Sequence, residues 1–506
     1  MFHSDSRALF QVPRDAARRL MLLGIALYGL ASLAYVAFGE TNADEGWYLY
    51  ASKLVLQGQQ PYVDFAYTQM PLLPFVYGVL QIIQPGILLG RLTSIILSLG
   101  MLVMSGVIAR RYGGTRASAI TALVLGVFTF CIYFNTIVKT YALVSFFFTA
   151  TLFVLSSESK AKYPLALVFA FSAALVRITA LFFVAPVLLY VWVAGRTVKT
   201  RALVLVESTA FVLAAAYFLL PDWSSARWNL LDSHLSHWGT SPLADRFRVI
   251  IAERLSEIVQ GDGALFMLCI AVLAFVLHSA RTREWWRDRV ELVALVTGLI
   301  LFAGSHLVNG IWDVEYLVPS LCAVIPLLGI ALGQFYAETE SASRAFVQGG
   351  LIAVLLLLPL GESTQHTDLS GNRLPIAKLD RVAEVIAQNS RPGDKVLALE
   401  GLAFVLDAGR SVLPGMTLAQ FSLQQMDTAN AQRLHVVNVE MVAQAISQKA
   451  ARVLVLTDTD LAALAADDPT GSESLRQAIA QNYRQVFVMT GFGEHAENVF
   501  VYVDRL

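Results

Sequence analysis

Charge is scarce in this 506-residue chain. Asp, Glu, Lys and Arg together make up 15% of it, against roughly 25% in an ordinary soluble domain. The scarcity is balanced, with 37 basic and 38 acidic residues, so no positive excess exists to draw in nucleic acid. Cysteine is nearly absent. Cys131, Cys269 and Cys322 all lie in apolar runs without a CxxC neighbour. That excludes a thiolate zinc cage and a disulfide-rich secreted scaffold, and leaves them as small core hydrophobes. The large polar segments therefore carry no thiol, which suits an oxidising compartment. No GxGxxG or P-loop pattern occurs, so nothing cradles a nucleotide. Repeats and low-complexity linkers are missing too. What the chain has in abundance is apolar surface: 56% hydrophobic residues and a mean hydropathy of +0.59. A water-soluble protein of this size could not hide that much, so the composition predicts a polytopic membrane protein.

Runs of roughly 20 apolar residues can cross a bilayer. The first, Leu20–Phe38, follows Arg7, Arg14, Arg18 and Arg19 and lacks a small-residue cleavage site, so it reads as a retained helix. Further runs lie near 88–109, 118–134, 140–156, 163–176, 179–194, 202–221, 263–280, 291–308, 316–335 and 347–361, which gives about 11 transmembrane helices. With the N-terminus inside, the cytoplasmic loops hold seventeen Lys/Arg and the opposite loops before residue 362 hold seven. That bias follows the positive-inside rule and puts everything after residue 362 outside the cytoplasm. All eight tryptophans fall near run ends or in loops, as headgroup anchors do. Two domains are expected: 1–361 in the membrane, with long outer loops at 40–87 and 222–262, and 362–506 outside. The outer segment reads as soluble α/β, with helices at 375–389 and 473–482 and strands in "KVLALE", "ARVLVLT", "RQVFVMT" and "NVFVYV".

The chemistry concentrates at 42–78, "NADEGWYLYASKLVLQGQQPYVDFAYTQMPLLPFVYG". Asp44 and Glu45 stand just beyond the first span. Trp47, Tyr50, Leu54, Val55 and Leu56 recur at helical spacing and Gly58 can end the helix. A second apolar piece begins at Pro71. Both pieces are too short to span and read as interfacial helices. Adjacent acids on the outer surface can supply a general base, since repulsion between them raises one pKa; they can equally cap the helix against its dipole. Asp64 can contact a substrate or fix a turn. Lys53 reads as a solvated face.

This loop resembles the first outer loop of the GT-C membrane glycosyltransferases, in the glycosyltransferase 39-like branch of protein mannosyltransferases and the lipid A aminoarabinose transferase. There "DE" follows the first helix and "PYxDFxYxQxPLLP" marks the juxtamembrane helices. Asp44, Glu45, Pro61, Tyr62, Asp64, Phe65, Gln69, Pro71 and Pro74 stand at the matching positions. The resemblance implies transfer of a monosaccharide from a polyprenyl-phosphate donor to an acceptor hydroxyl on the outer face. Asp44 would be the base and Glu45 its partner, with inversion in a single displacement. It also implies membrane-lipid surroundings, an acceptor that is a lipid, glycan or protein, and a bacterial inner membrane. No cofactor is implied. The branch often carries a second acid at the start of the fourth helix, where this chain reads Lys139-Thr140-Tyr141-Ala142. That puts a two-carboxylate or metal-assisted mechanism in doubt.

A phosphate leaving group needs cations. Lys139 and Arg177 sit at outer helix ends, and Arg91 can either serve or merely anchor its helix. Substrate contacts are expected from Tyr62, Asp64, Gln69, Lys139, Tyr141, Arg177 and Tyr316. Tyr316 with Pro319 matches a family pattern associated with the carrier phosphate, in a stretch that also holds His306, Asp313 and Glu315. His234 and His237 are spaced for a metal but lack a third ligand. Asp458-Thr459-Asp460 reads as a helix cap. Two other readings stay open: an envelope polysaccharide ligase or polymerase with a diphosphate-linked donor, and a lipid-linked sugar transporter.

Overall fold

The first apolar run folds as helix α1 (Arg14–Phe38), with Leu22, Leu30 and Leu33 more than half exposed on one side. In a membrane that face meets lipid. Its other face is close-packed on small residues. A Cβ placed at Gly24 would lie 2.3 Å from the Ala122 carbonyl oxygen, and one at Gly126 would lie 2.4 Å from the Gly24 oxygen. Helices in lipid associate through such backbone approaches because no hydrophobic drive separates helix from tail. The structure, a computed structural model, describes residues 14–236, 242–254, 256–257, 289–337, 366–368, 373–466 and 469–505.

Helix α4 (Ile87–Val127) is broken at Gly114, where φ is 77°. A Cβ at Gly106 would approach Ser118 Oγ to 3.5 Å. Residues twelve apart meet like that only if the chain reverses, since a continuous helix would separate them by about 18 Å. The runs at 88–109 and 118–134 are thus two helices joined by a tight turn. Helix Val318–Ala337 lies in the middle of the bundle, 94% buried over its apolar window, whereas α9 (Val198–Leu219) is 6% buried and rims it. Gly329 and Gly333 of the central helix press against Thr121 and Ala117.

Among the described residues five helices are long and apolar enough to cross a membrane. They contain six of the eleven sequence runs. Three more runs form the shorter helices α6 (Thr140–Leu155), α7 (Lys162–Val176) and α8 (Leu181–Ala194). The runs at 263–280 and 347–361 lie outside the described residues, as do Cys269, His237 and three tryptophans.

The loop after α1 holds α2 (Ala43–Leu56) and α3 (Leu72–Gln81). Asn42 caps α2 with a capping box: its Oδ1 accepts from Asp44 N at 3.0 Å, and Glu45 Oε1 accepts from Asn42 N at 3.3 Å. Gly58, at φ 84°, ends the helix as expected. The environment of α2 departs from the sequence reading. It is enclosed on nearly every side and does not float at the lipid surface. Leu49 wedges against Gly90 and Val138 below, while a Cβ at Gly46 would lie 2.7 Å from Ala403 N above. Lys53 is half-buried and donates to the Arg410 carbonyl, so it is no solvated face.

The segment above α2 is the α/β unit. Strands β1 (Lys395–Ala398), β2 (Ser411–Val412), β3 (Val453–Thr457), β4 (Tyr483–Phe492) and β5 (Glu497–Asp504) form one sheet ordered β2-β1-β3-β5-β4. The first three are parallel, and β5 and β4 close the sheet antiparallel. β3 is buried along its whole length, which explains its unbroken Val-Leu-Val-Leu run. The unit is stitched to the bundle by Glu40 N to His366 O (3.1 Å), Asp368 N to Phe38 O (2.9 Å), Val412 N to Tyr50 OH (3.0 Å) and Ile87 N to Asp407 Oδ1 (3.2 Å).

Candidate functional site

The capping box orients the first turn of α2 and sends its two acids apart. Glu45 points down into the bundle, fully buried. Arg91 of α4 grips it twice, Nε to Oε2 at 2.9 Å and Nη2 to Oε1 at 2.6 Å, and Val138 N adds a third bond at 3.1 Å. The remaining Arg91 N–H groups donate to carbonyls of Tyr35, Gly39 and Glu40. Asp44 points up. Trp47 Nε1 donates to its Oδ1 at 3.0 Å, Lys139 Nζ lies 3.0 Å from its Oδ2, and its side chain keeps 22% exposure. The expected repulsion between neighbouring acids is therefore not the local physics: Glu45 is neutralised by Arg91 and faces away.

Asp44 opens onto a cavity of about 590 Å³ between the bundle and the α/β unit. Lys139, at the start of α6, bridges Asp44 to Glu315 Oε1, which lies at 2.7 Å and also accepts from Tyr141 OH at 2.7 Å. The carboxylate missing from the "KTYA" context is thus supplied by another segment, on the far side of the lysine. Arg177, at the end of α7, donates to Thr140 Oγ1 at 3.0 Å and stacks over Tyr316 at 4.6 Å. Among the described residues no carboxylate lies within 4 Å of its guanidinium, although it is only 7% exposed. Asp313 lies in the wall beside them, its carboxyl pushed up to about 6 by burial and then by the Glu315 charge.

The opposite wall comes from the α/β unit. Glu400 follows β1, Thr457 ends β3, Glu497 begins β5, and Glu494 and His495 form the β4–β5 turn. Thr457 Oγ1 donates to Glu400 Oε2 at 2.9 Å. Glu494 Oε1 accepts from Asn42 Nδ2 at 2.6 Å, which ties the outer unit to the residue that caps α2. Burial, and then the charge of Glu497, raises the Glu400 carboxyl; burial raises Glu494.

Of the residues singled out in the sequence, Asp44, Gln69, Lys139, Tyr141, Arg177 and Tyr316 line this cavity. Others do not. Tyr62 is fully buried with a φ of 70°, and its hydroxyl donates to the Gln69 carbonyl at 2.5 Å, so it shapes the loop that presents Gln69. Asp64 is exposed and accepts from Gln60 N at 2.7 Å, which makes it a turn residue. Glu45 and Arg91 are sealed beneath. His306 is buried between Phe302 O and Thr179 Oγ1. His234 lines the cavity. Among the described residues no group of three or more His, Cys, Asp or Glu is placed to hold a metal. Asp460 Oδ2 accepts from Thr457 N at 3.0 Å and Asp460 N donates to Thr457 Oγ1 at 3.0 Å, the capping box that explains the DxD pattern. The sequence reading missed Glu400, Glu494 and Glu497. A usable signal was present: an acid directly after a parallel strand, at the sheet edge where ligands bind in α/β units.

No family model and no curated protein matches the sequence. Solved structures match its fold. ArnT from Cupriavidus metallidurans bound to undecaprenyl phosphate is 13% identical, with a TM-score of 0.58 over 97% of this chain and 98% of that one. The same protein in the apo state gives 14% identity and 0.57 over 96% and 98%. The archaeal oligosaccharyltransferase AglB from Archaeoglobus fulgidus, in complex with an inhibitory peptide and a dolichol-phosphate, is 13% identical, with 0.50 over 96% and 74%. The chain has the fold of these proteins, as the resemblance of its first outer loop implied.

Proposed function

We propose that this protein is a membrane glycosyltransferase that moves one monosaccharide from a polyprenyl-phosphate donor to an acceptor hydroxyl, using Asp44 as general base. The observation that carries the reading is Arg177. A desolvated guanidinium with no carboxylate beside it is costly unless an anion arrives, and it faces the same cavity as Asp44. Lys139, by contrast, already has two carboxylate partners. It serves as the strut that holds Asp44 and Glu315 in place, and Arg177 takes the phosphate. Tyr316, under the guanidinium, fixes its plane.

In the step itself the acceptor O–H gives its proton to the Asp44 carboxylate. The oxygen bonds to the anomeric carbon from the face opposite the phosphate. The carbon–oxygen bond to phosphate breaks, and its electron pair leaves with the polyprenyl phosphate, inverting the centre. Among the described residues that line the cavity, Arg177 is the one Lys or Arg with no carboxylate within 4 Å, which suits a monophosphate carrier over a diphosphate. Arg254, from the other long outer loop, already donates to the carbonyls of Leu307, Asn309 and Gly310. We place the N-terminus in the cytoplasm, domain 362–506 outside, about eleven spans between, and the whole in a bacterial inner membrane. The likeness to a protein solved with undecaprenyl phosphate supports that setting. Mass spectrometry of envelope glycans from a deletion strain tests the reading. One species should lose a single-sugar increment and regain it on complementation; an unchanged profile across the envelope would sink it.

A further inference from the structure

The cavity divides by charge. Its lining has six carboxyl side chains and two Lys or Arg. Both cations, Lys139 and Arg177, belong to the membrane wall. Among the described residues the α/β wall contributes Glu400, Glu494 and Glu497, with His495 between the last two, and no Lys or Arg. These acids sit at one edge of the sheet, because β5 starts where β3 ends, with Thr457 paired to Val499. Phe421 and Phe492 lie half-buried on the same wall. The bond from Glu494 to Asn42 puts this wall two residues from Asp44.

We infer that the α/β wall is the acceptor subsite, and that the acceptor is a carbohydrate whose reacting end carries no phosphate or carboxylate. This rests on the glycosyltransferase reading, with the donor phosphate on Arg177. A phosphorylated acceptor would set its charge against three carboxyl groups with one histidine, His495, and no described Lys or Arg on their side, and like charges at such range repel strongly when partly desolvated. Sugar hydroxyls meet the opposite situation. Carboxyl oxygens accept from them in pairs, Gln420 offers both a donor and an acceptor, and Phe421 and Phe492 give the apolar face of a pyranose ring something to lie on. Glu400 reinforces the match: its raised carboxyl keeps a proton further toward neutrality and can donate as well as accept.

The test uses the full chain in nanodiscs, applied to a glycan array of matched sets: neutral saccharides, the same saccharides phosphorylated, and their uronates. Neutral members should bind at least tenfold better than their anionic counterparts. The double substitution Glu400→Lys, Glu497→Lys should abolish or reverse that preference, and Glu400→Gln, which keeps the shape, should reduce it. Undecaprenyl phosphate affinity is measured on the same samples and should not fall in these variants, since less negative charge in the cavity can only favour the lipid phosphate. Anionic members binding as well as or better than neutral ones, or no saccharide binding at all, overturns the inference. Loss of undecaprenyl phosphate binding by the wild type would instead overturn the donor reading, so the two failures are distinguishable.

Discussion

On either side of the first turn of α2 lies an acid paired with a base, and the two regions put the same chemistry to different ends. Below, Glu45 and Arg91 are sealed at 0% and 1% exposure, with both Glu45 oxygens and all the Arg91 nitrogens engaged. Above, Asp44, Lys139 and Glu315 keep 22%, 6% and 14% exposure and border a cavity. A fully satisfied buried pair contributes register and rigidity; it has no oxygen left to offer a substrate. Each Asp44 oxygen has a single partner, Trp47 or Lys139, and the side chain opens on the cavity, so a lone pair remains for a substrate. The resemblance and the adjacency of the two acids pointed to a shared catalytic role, whereas the helix phase sends their side chains to opposite sides.

The sharpest way to break this contrast is Asp44→Asn. Loss of a general base costs about 10²- to 10⁴-fold in rate. Transfer by the purified variant should fall by that much while its thermal unfolding stays close to wild type; near-normal turnover would remove Asp44 from the chemistry. The lower pair should respond the other way. Arg91→Ala strands a buried carboxylate and should cost about 3–5 kcal/mol of stability, read as a large drop in melting temperature in detergent. Converting both partners, Arg91→Met with Glu45→Met, should recover much of that stability together with transfer. If the double variant is stable yet inert, Glu45 belongs with the reacting groups after all.

How much of this could be read in the sequence follows from how local each feature is. The described spans were legible because hydropathy is a property of consecutive residues, and Gly58 because it lies within a few residues of the helix it bounds; the cap itself was read on Asp44 and Glu45, whereas the structure puts it on Asn42. The strands of the α/β unit showed for the same reason, except β2, whose two residues give no pattern. The enclosure of α2 was not legible, since the surface that covers it arrives some 350 residues later, at Ala403 and Val412. The Asp44–Lys139–Glu315 bridge joins three distant segments, so the motif pointed to its ends without showing that they meet. Tyr62 and Asp64 lie off the cavity lining, and of the two readings open for Asp64 the local geometry shows the turn.

Within the upper region, Arg177 and Asp313 separate smaller effects. Charge-assisted hydrogen bonds are worth about 1.5–3 kcal/mol, so Arg177→Ala should weaken undecaprenyl phosphate binding roughly 10- to 100-fold, and Lys139→Ala less. Equal losses in both would mean that the two cations share the phosphate and that the division between strut and ligand is wrong. Asp313 sets the smallest effect and the one with a pH signature. Its carboxyl, pushed up to about 6, is neutral below that pH and an anion facing the cavity above it. A nearby negative charge opposes the lipid phosphate by roughly 1 kcal/mol, or about fivefold in affinity. Asp313→Asn should therefore bind undecaprenyl phosphate about fivefold more tightly than wild type at pH 7.5, with the two converging by pH 5.5. The phosphate takes up its own proton over the same range, but it does so in both proteins, and the ratio isolates Asp313. A ratio that stays flat from pH 7.5 to 5.5 would mean that Asp313 and the phosphate do not share this cavity.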